Sequence, residues 1–214
     1  MTHEMSISLS SGAMLLGMGA FHGINPGMGW LFAVALGMQE QRRAAVWRSL
    51  LPLGAGHALA IAAAIAIAVM AGAVVPIHDL RWPVAGILIV LGASRLVRHR
   101  HPRWMGMRVG MAGLTLWSFL MASAHGAGLM VVPVFLAMAM TPSGLASHSM
   151  IASTPAAAIF ATLLHALGYL LVTAAVALLV FEKLGVGLLR KAWLNLDLVW
   201  AVALIATGVI TVLL

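Results

Sequence analysis

Six long apolar runs, separated by short polar connections, dominate the chain. They cover residues 11–38, 50–75, 82–97, 109–140, 156–181 and 193–214. A helix needs about 20 apolar residues to cross the hydrocarbon core of a bilayer. The pattern therefore predicts an all-α integral membrane protein with six transmembrane helices, folded as a single transmembrane domain over residues 1–214.

Two of these runs contain residues that interrupt a helix. Asn25-Pro26-Gly27 lies inside the first run, and Pro133 lies inside the fourth, preceded by Gly126 and Gly128. Irregular backbone at membrane depth is tolerated where it lines a cavity. The alternative is a packing kink, or close helix contact through small residues.

The composition indicates that lipid covers most of the surface of the molecule. Of the 214 residues, 63% are hydrophobic and only 8% are charged, with a mean hydropathy of +1.06. A soluble domain carries about 25% charged residues. The chain has no cysteine, which excludes disulfides, thiolate metal sites and thiol redox chemistry.

The positive charges are concentrated on alternate connections between the apolar runs. Eleven of the twelve Lys and Arg residues lie on the first, third and fifth connections: Arg42, Arg43, Arg48, Arg95, Arg98, Arg100, Arg103, Arg108, Lys183, Arg190 and Lys191. Positive loops face the cytoplasm, so we expect a multi-pass protein of the cytoplasmic (inner) membrane with both termini outside. We expect the first run to be a retained helix, because no basic segment precedes it.

The two halves of the chain share short matches in the same order. Met18–Gly23 parallels Met121–Gly126, His57–Leu59 parallels His165–Leu167, and Asp79–Trp82 parallels Asp197–Trp200. The matches predict two inverted three-helix repeats, about 11–97 and 109–214, a plan that places a substrate site near the midplane. The alternative is coincidence within an apolar background.

Four histidines lie inside the apolar runs. His22 and His125 fall near the middle of their runs, His57 nearer the cytoplasmic end and His165 nearer the outer end, which suggests opposite leaflets for the last two. Ionisable side chains inside a membrane usually line a substrate path. Interhelical hydrogen bonding is the structural alternative.

Methionines accompany two of these histidines. Met14, Met18 and His22 are spaced i, i+4, i+8, and Met121 precedes His125 by four residues. Imidazole suits Zn, Cu, Ni and Co, and thioether suits softer ions, although a methionine stripe also packs well. The candidate substrate-binding residues are His22, Asn25, His57, His125 and His165, and the candidate metal ligands are His22, His125, Met18 and Met121.

The broken first helix with His22-Gly-Ile-Asn-Pro-Gly27, six predicted helices and outward termini resembles the LysE-type transporter superfamily. That group includes amino-acid exporters and nickel/cobalt exporters. Asn25-Pro26-Gly27 is loosely similar to the Pro-Gly-Pro-Asn turn of the amino-acid exporters, whereas the acidic partner of the nickel/cobalt motif is missing beside His22. The resemblance implies transport of a small solute or ion.

We expect a secondary transporter of a small cation, preferably a transition-metal ion, with a His-lined midplane site and no tightly bound cofactor. An exporter of a small organic solute such as an amino acid is the first alternative, and a membrane haem-binding electron carrier with histidine axial ligands is the second. We do not expect an enzyme or a nucleic-acid partner. The expected partners are the lipid bilayer and a small ion or solute, and a homo-oligomer is compatible with the sequence.

Overall fold

The computed structural model describes residues 2–72, 77–97, 110–139, 150–184 and 196–213, and within them the chain is helical with no strand. The helices are α1 (Thr2–Ile24), α2 (Trp30–Glu40), α3 (Arg43–Gly72), α4 (Ile77–Val97), α5 (Met111–Ala124), α6 (Ala127–Ala139), α7 (Met150–Leu179) and α8 (Leu196–Leu213), with a 3₁₀ turn at Pro26–Met28 and a π turn at Val180–Leu184. The all-α prediction is confirmed for this part of the chain. The third predicted loop, with Arg98, Arg100, Arg103 and Arg108, and most of the fifth, with Arg190 and Lys191, lie outside it.

The first apolar run divides into α1 and α2 at the predicted residues. Asn25 Oδ1 accepts a hydrogen bond from the Gly27 N–H at 2.8 Å, and Pro26 has no N–H with which to continue α1. Gly29 has φ 137°, a conformation that favours glycine. These three features end one helix and start the next within a five-residue break.

The fourth apolar run breaks earlier than the sequence suggested. Pro133 lies inside the intact helix α6, whereas the break falls at His125 and Gly126, and the axes of α5 and α6 differ there by 65°. Gly126 has φ 72°. The predicted break at Pro133 is therefore wrong. A glycine in the left-handed conformation bends the backbone more sharply than a proline that removes one helical hydrogen bond.

Two helix pairs pack in parallel through small residues. In the pair α1–α7, Gly19 lies against the backbone of His165 and Gly23 against that of Tyr169. In the pair α3–α5, Gly56 lies against the Thr115 carbonyl. Glycine allows such close approach because no side chain stands between the backbones.

The helices α3 and α7 cross antiparallel at the centre of the molecule. Each has 30 residues, and His57 is the fifteenth residue of α3 while His165 is the sixteenth of α7. The expectation that these histidines lie in opposite leaflets is wrong. Both helices begin six or more residues before the predicted runs, because polar residues at their ends are helical as well.

The helices α4 and α8 also pack antiparallel, with reciprocal contacts. Gly92 lies against Ala201 and Ile205, and Gly208 lies against Ala85 and Ile89. The spacing of the contacting residues is the same on both helices. This pair contacts the rest of the bundle mainly through α6 and α3.

The described helices include two that are long and apolar enough to cross a membrane, Arg43–Gly72 and Pro155–Lys183, or three if the bent pair α5–α6 counts as one span. Many large apolar side chains on the outer surface are exposed, which suits contact with lipid. Two ion pairs, Arg43–Glu182 at 3.0 Å and Arg48–Glu40 at 2.7 Å, lie at one end of the bundle. The described helices are therefore those of a membrane protein.

Candidate functional site

The structure brings together three of the four histidines that lie inside the apolar runs. His22, His57 and His165 are fully buried, and His125 is 4% exposed. His22 lies in the last turn of α1 and His125 directly follows α5, each at a helix break, while His57 and His165 occupy the midpoints of α3 and α7. We call His22, His57 and His165 the histidine cluster, with His125 close enough to His22 for an electrostatic interaction.

The rings of the histidine cluster form a nearly equilateral triangle. The ring centroids lie 5.7 Å apart for His22 and His57, 5.1 Å for His22 and His165, and 5.4 Å for His57 and His165. With N–metal bonds of about 2.1 Å, imidazoles that share one tetrahedral ion have centroids about 5 Å apart. The spacing of the three rings therefore matches that of imidazoles that bind one metal ion.

The two histidines at the helix breaks have the same local hydrogen bond. His22 Nδ1 lies 2.7 Å from the Met18 carbonyl oxygen, and His125 Nδ1 lies 2.9 Å from the Met121 carbonyl oxygen. A carbonyl can only accept, so Nδ1 donates and Nε2 carries the lone pair. Histidines that bind metals usually have this arrangement, in which the other ring N–H is held by a carbonyl or carboxylate.

His57 and His165 differ from that pattern. Among the described residues, neither ring nitrogen of His57 nor of His165 has a hydrogen-bond partner, although all four atoms are buried. Buried polar atoms nearly always have a partner, so each exception requires an explanation. Four such atoms side by side at the centre of the bundle point to a site that receives a ligand.

The present ring orientations do not converge on one point. The His57 and His165 planes differ by only 11° and are stacked. Within the part of the chain that the structure describes, no group of three or more His, Cys, Asp or Glu side chains is arranged to hold a metal ion. A metal binds in the plane of an imidazole ring, so at least one stacked ring must turn before both could bind the same ion.

Tyr169 closes one side of the histidine cluster. Its ring stacks on His57 with a centroid separation of 4.0 Å, and its hydroxyl donates a 2.6 Å hydrogen bond to the Met28 carbonyl. The sequence interpretation missed this residue. Its signal was present, because Tyr169 is the only tyrosine of the chain and lies four residues after His165, on the same helical face.

Asn25 has mainly a structural role at the first break. Its side-chain oxygen is already bonded to the Gly27 N–H, and only 5% of the residue is exposed. Its amide N–H₂ group and the second lone pair of the oxygen remain for a substrate. The assignment of Asn25 as a substrate-binding residue stays a prediction.

The methionines singled out in the sequence differ in their burial. Met18 is half-buried and Met121 is buried, with its methyl group next to Gly27. Met14, however, is 46% exposed, so it does not belong to the buried surface around His22. At 3.6 residues per turn, positions i and i+8 differ by about 80° around the helix.

A groove of about 480 Å³ lies along the α3–α7 interface beyond the histidine cluster. It is almost entirely apolar, and its lining residues include Ile65, Met70, Pro155, Ile159 and Thr162. Thr162 is one turn before His165. The groove therefore begins within one helical turn of the cluster.

Comparison of this chain with family models, with curated proteins and with solved structures gave no significant match.

Proposed function

We propose that this protein is a secondary transporter that moves a transition-metal cation across the cytoplasmic membrane through the histidine cluster. The observation that carries the proposal is the set of four buried ring nitrogens of His57 and His165 without partners among the described residues. Neutral imidazole offers one lone pair, which a metal cation accepts directly. Zn, Cu, Ni and Co all favour such ligands.

The position of the cluster supports transport over a purely structural role. The cluster lies where α1, α3 and α7 cross, beside a five-residue helix break. Interhelical hydrogen bonds, the structural alternative, would leave the ring nitrogens paired. His57 and His165 instead stack without such bonds among the described residues.

The proposal includes six membrane spans in two inverted repeats, with α1–α2 and α5–α6 as one broken span each. Supporting it, the parallel pairs α1–α7 and α3–α5 exchange under such a relation, while the antiparallel pairs α3–α7 and α4–α8 map onto themselves. The reciprocal contacts of Gly92 and Gly208 fit the same relation. The alignment of α4 with α8 that these contacts imply is shifted by two residues from the alignment of Asp79 with Asp197.

The orientation is part of the same proposal. Arg43 and Arg48 of the first connection and Glu182 of the fifth lie at one end of the bundle. This contact supports the placement of odd-numbered connections on one side, the cytoplasm by the positive-inside rule.

Export of a small organic solute is the second candidate. The apolar groove that begins one turn from His165 favours it, since an apolar surface does not solvate a hydrated cation. The histidines would then serve as hydrogen-bonding or proton-carrying groups. Haem binding is less favoured, because axial imidazoles point their nitrogens at the iron, whereas His57 and His165 stack face to face.

The test is transport into proteoliposomes that contain the purified protein. We expect uptake of a transition-metal ion, and loss of that uptake in His57→Ala and His22→Ala. The matched control is His78→Ala, in the first turn of α4. Unchanged metal flux in both cluster variants, or flux equal to that of empty vesicles, would overturn the metal proposal; organic-solute flux that depends on His57 would favour the second candidate, and a Soret band in the purified protein would favour haem.

A further inference from the structure

The described side chains near the histidine cluster include no carboxylate. The buried polar residues of the described part are histidines, Asn25, and the serines and threonines Ser49, Ser118, Thr162, Thr173 and Thr211. The acids Glu40 and Glu182 lie at a helix end and a π turn, where Arg48 and Arg43 neutralise them, and Asp79 is exposed. The described side chains around the cluster therefore offer only neutral ligands.

The charge of the ion decides how well such a site can hold it. Neutral ligands donate lone pairs but cancel none of the ion's charge in the surrounding apolar helices. The solvation energy that a buried ion loses scales with the square of its charge, so a divalent ion loses about four times as much as a monovalent ion of the same size. A site without carboxylates therefore favours a charge of +1.

The available ligand atoms point the same way. Imidazole nitrogens form the cluster, and the thioethers of Met18, Met28 and Met121 belong to the same hydrophobic core as Tyr169, whose ring stacks on His57. Soft thioether ligands select Cu(I) among the biological transition metals. Cu(I) also accepts two or three ligands, which suits a cluster with two stacked rings better than the four-coordinate preference of Zn(II).

Resting on the proposed transport function, we propose that the cargo is a monovalent soft cation, chemically Cu(I), for which Ag(I) is a redox-inert probe. Asn25 is the position at which this selectivity can be changed. It is buried at the end of the helix that carries His22, and its side-chain oxygen caps the 3₁₀ turn. Asn25→Asp keeps the capping oxygen and the side-chain shape, and adds one negative charge beside the cluster.

The experiment measures binding to the purified, metal-free protein in detergent. Anaerobic Cu(I) is titrated in competition with a chromophoric chelator, Ag(I) by calorimetry, and Zn(II), Ni(II) and Co(II) in the same buffer. We expect the wild type to bind Cu(I) and Ag(I) about 100-fold more tightly than any of the divalent ions, after correction for chelator competition. Met18→Leu should weaken Ag(I) binding, whereas Met14→Leu, on the exposed side of α1, should not.

Asn25→Asp should shift the ratio of divalent to monovalent affinity by about tenfold or more towards the divalent ions. Tighter binding of Zn(II), Ni(II) or Co(II) than of Ag(I) by the wild type would overturn this inference and leave the proposed function intact. Binding of no ion of either class would overturn the proposed function itself. An unchanged affinity ratio in folded Asn25→Asp protein, judged by its elution volume and melting temperature, would overturn the charge argument. If Asn25→Asp does not fold, the wild-type affinities for the monovalent and divalent ions decide the inference by themselves.

Discussion

The two helix breaks contain the same kind of hydrogen bond but differ in length and in backbone conformation. At both breaks a histidine Nδ1 is bonded to the carbonyl four residues earlier. The first break spans five residues, with a 3₁₀ turn capped by Asn25, and the second spans two residues around Gly126. Local spacing sets the hydrogen bond, whereas the length of the break sets where the next helix goes.

The difference has a consequence for the histidines themselves. The His22 ring contacts both His57 and His165, while the ring contacts of those two residues are with His22, with each other and with Tyr169. His125 interacts with His22. Two members of the histidine cluster, His22 and His57, thus belong to the first half of the chain and one, His165, to the second, and the first prediction below tests this inequality.

The largest expected effect separates His22 from His125. His22→Ala should weaken binding of the ion that the wild type binds by at least about 100-fold, since loss of a ligand costs more than loss of a supporting residue. His125→Ala should cost less than about tenfold. Equilibrium titration of both variants, with melting temperatures as the control for folding, measures the difference; equal losses would mean that the two breaks contribute alike.

The next effect concerns the close contact of α1 with α7. A Cβ at Gly19 would overlap the His165 carbonyl oxygen, whereas Gly17, on the same helix, has nothing within 4 Å. Gly19→Ala should therefore destabilise the fold by about 1–3 kcal/mol, and Gly17→Ala should not. Gly56→Ala in the pair α3–α5 should match Gly19→Ala, because it meets the Thr115 carbonyl in the same way. Thermal unfolding in one detergent measures all three, and a neutral Gly19→Ala would contradict the described helix contact.

A smaller effect compares the residues that shape the breaks. Gly126→Ala should cost about 1–2 kcal/mol, because φ 72° is unfavourable for a residue with a Cβ. Asn25→Ala should cost about 1 kcal/mol through loss of the capping bond to Gly27. Chemical or thermal unfolding of the two variants gives the order, and a larger loss at Asn25 would show that the first break is the more strongly held.

The smallest effect is expected for Tyr169→Phe. The change removes the hydrogen bond to the Met28 carbonyl and keeps the ring that stacks on His57. Net loss of one such bond costs about 1 kcal/mol. We expect a slightly lower melting temperature and nearly unchanged ion affinity; a large loss of affinity would instead assign the hydroxyl to the binding site.

Several features of the fold could be predicted from the sequence. The apolar runs indicated where the helices lie because a long apolar run is typical of a buried or membrane helix, and the break at Asn25 followed from local chemistry that needs no distant partner. The break at Pro133 was misplaced, since a proline inside a helix costs one hydrogen bond and packing can tolerate that loss. The leaflet assignment of His57 and His165 failed because it depended on helix ends, which sequence patterns locate poorly.

The candidate site was predictable in its members but not in its arrangement. The rarity of histidine in apolar runs identified His22, His57, His125 and His165. Tyr169 remained unnoticed because a single tyrosine in a helix is usually an ordinary packing or interfacial residue. The stacking of His57 on His165 and on Tyr169 depends on how α3 crosses α7, which residue spacing within either helix does not specify.

By itself, the sequence determined the helical class, the approximate location of the apolar helices and the four histidines, because each depends on local composition or on spacing along one helix. The tertiary structure alone decided that His22, His57 and His165 meet, and that Met14 is exposed while Met18 is not. The physical reason is that the crossing points depend on small residues such as Gly19 and Gly56, where two backbones come into contact. Which helices meet there is a property of the whole bundle.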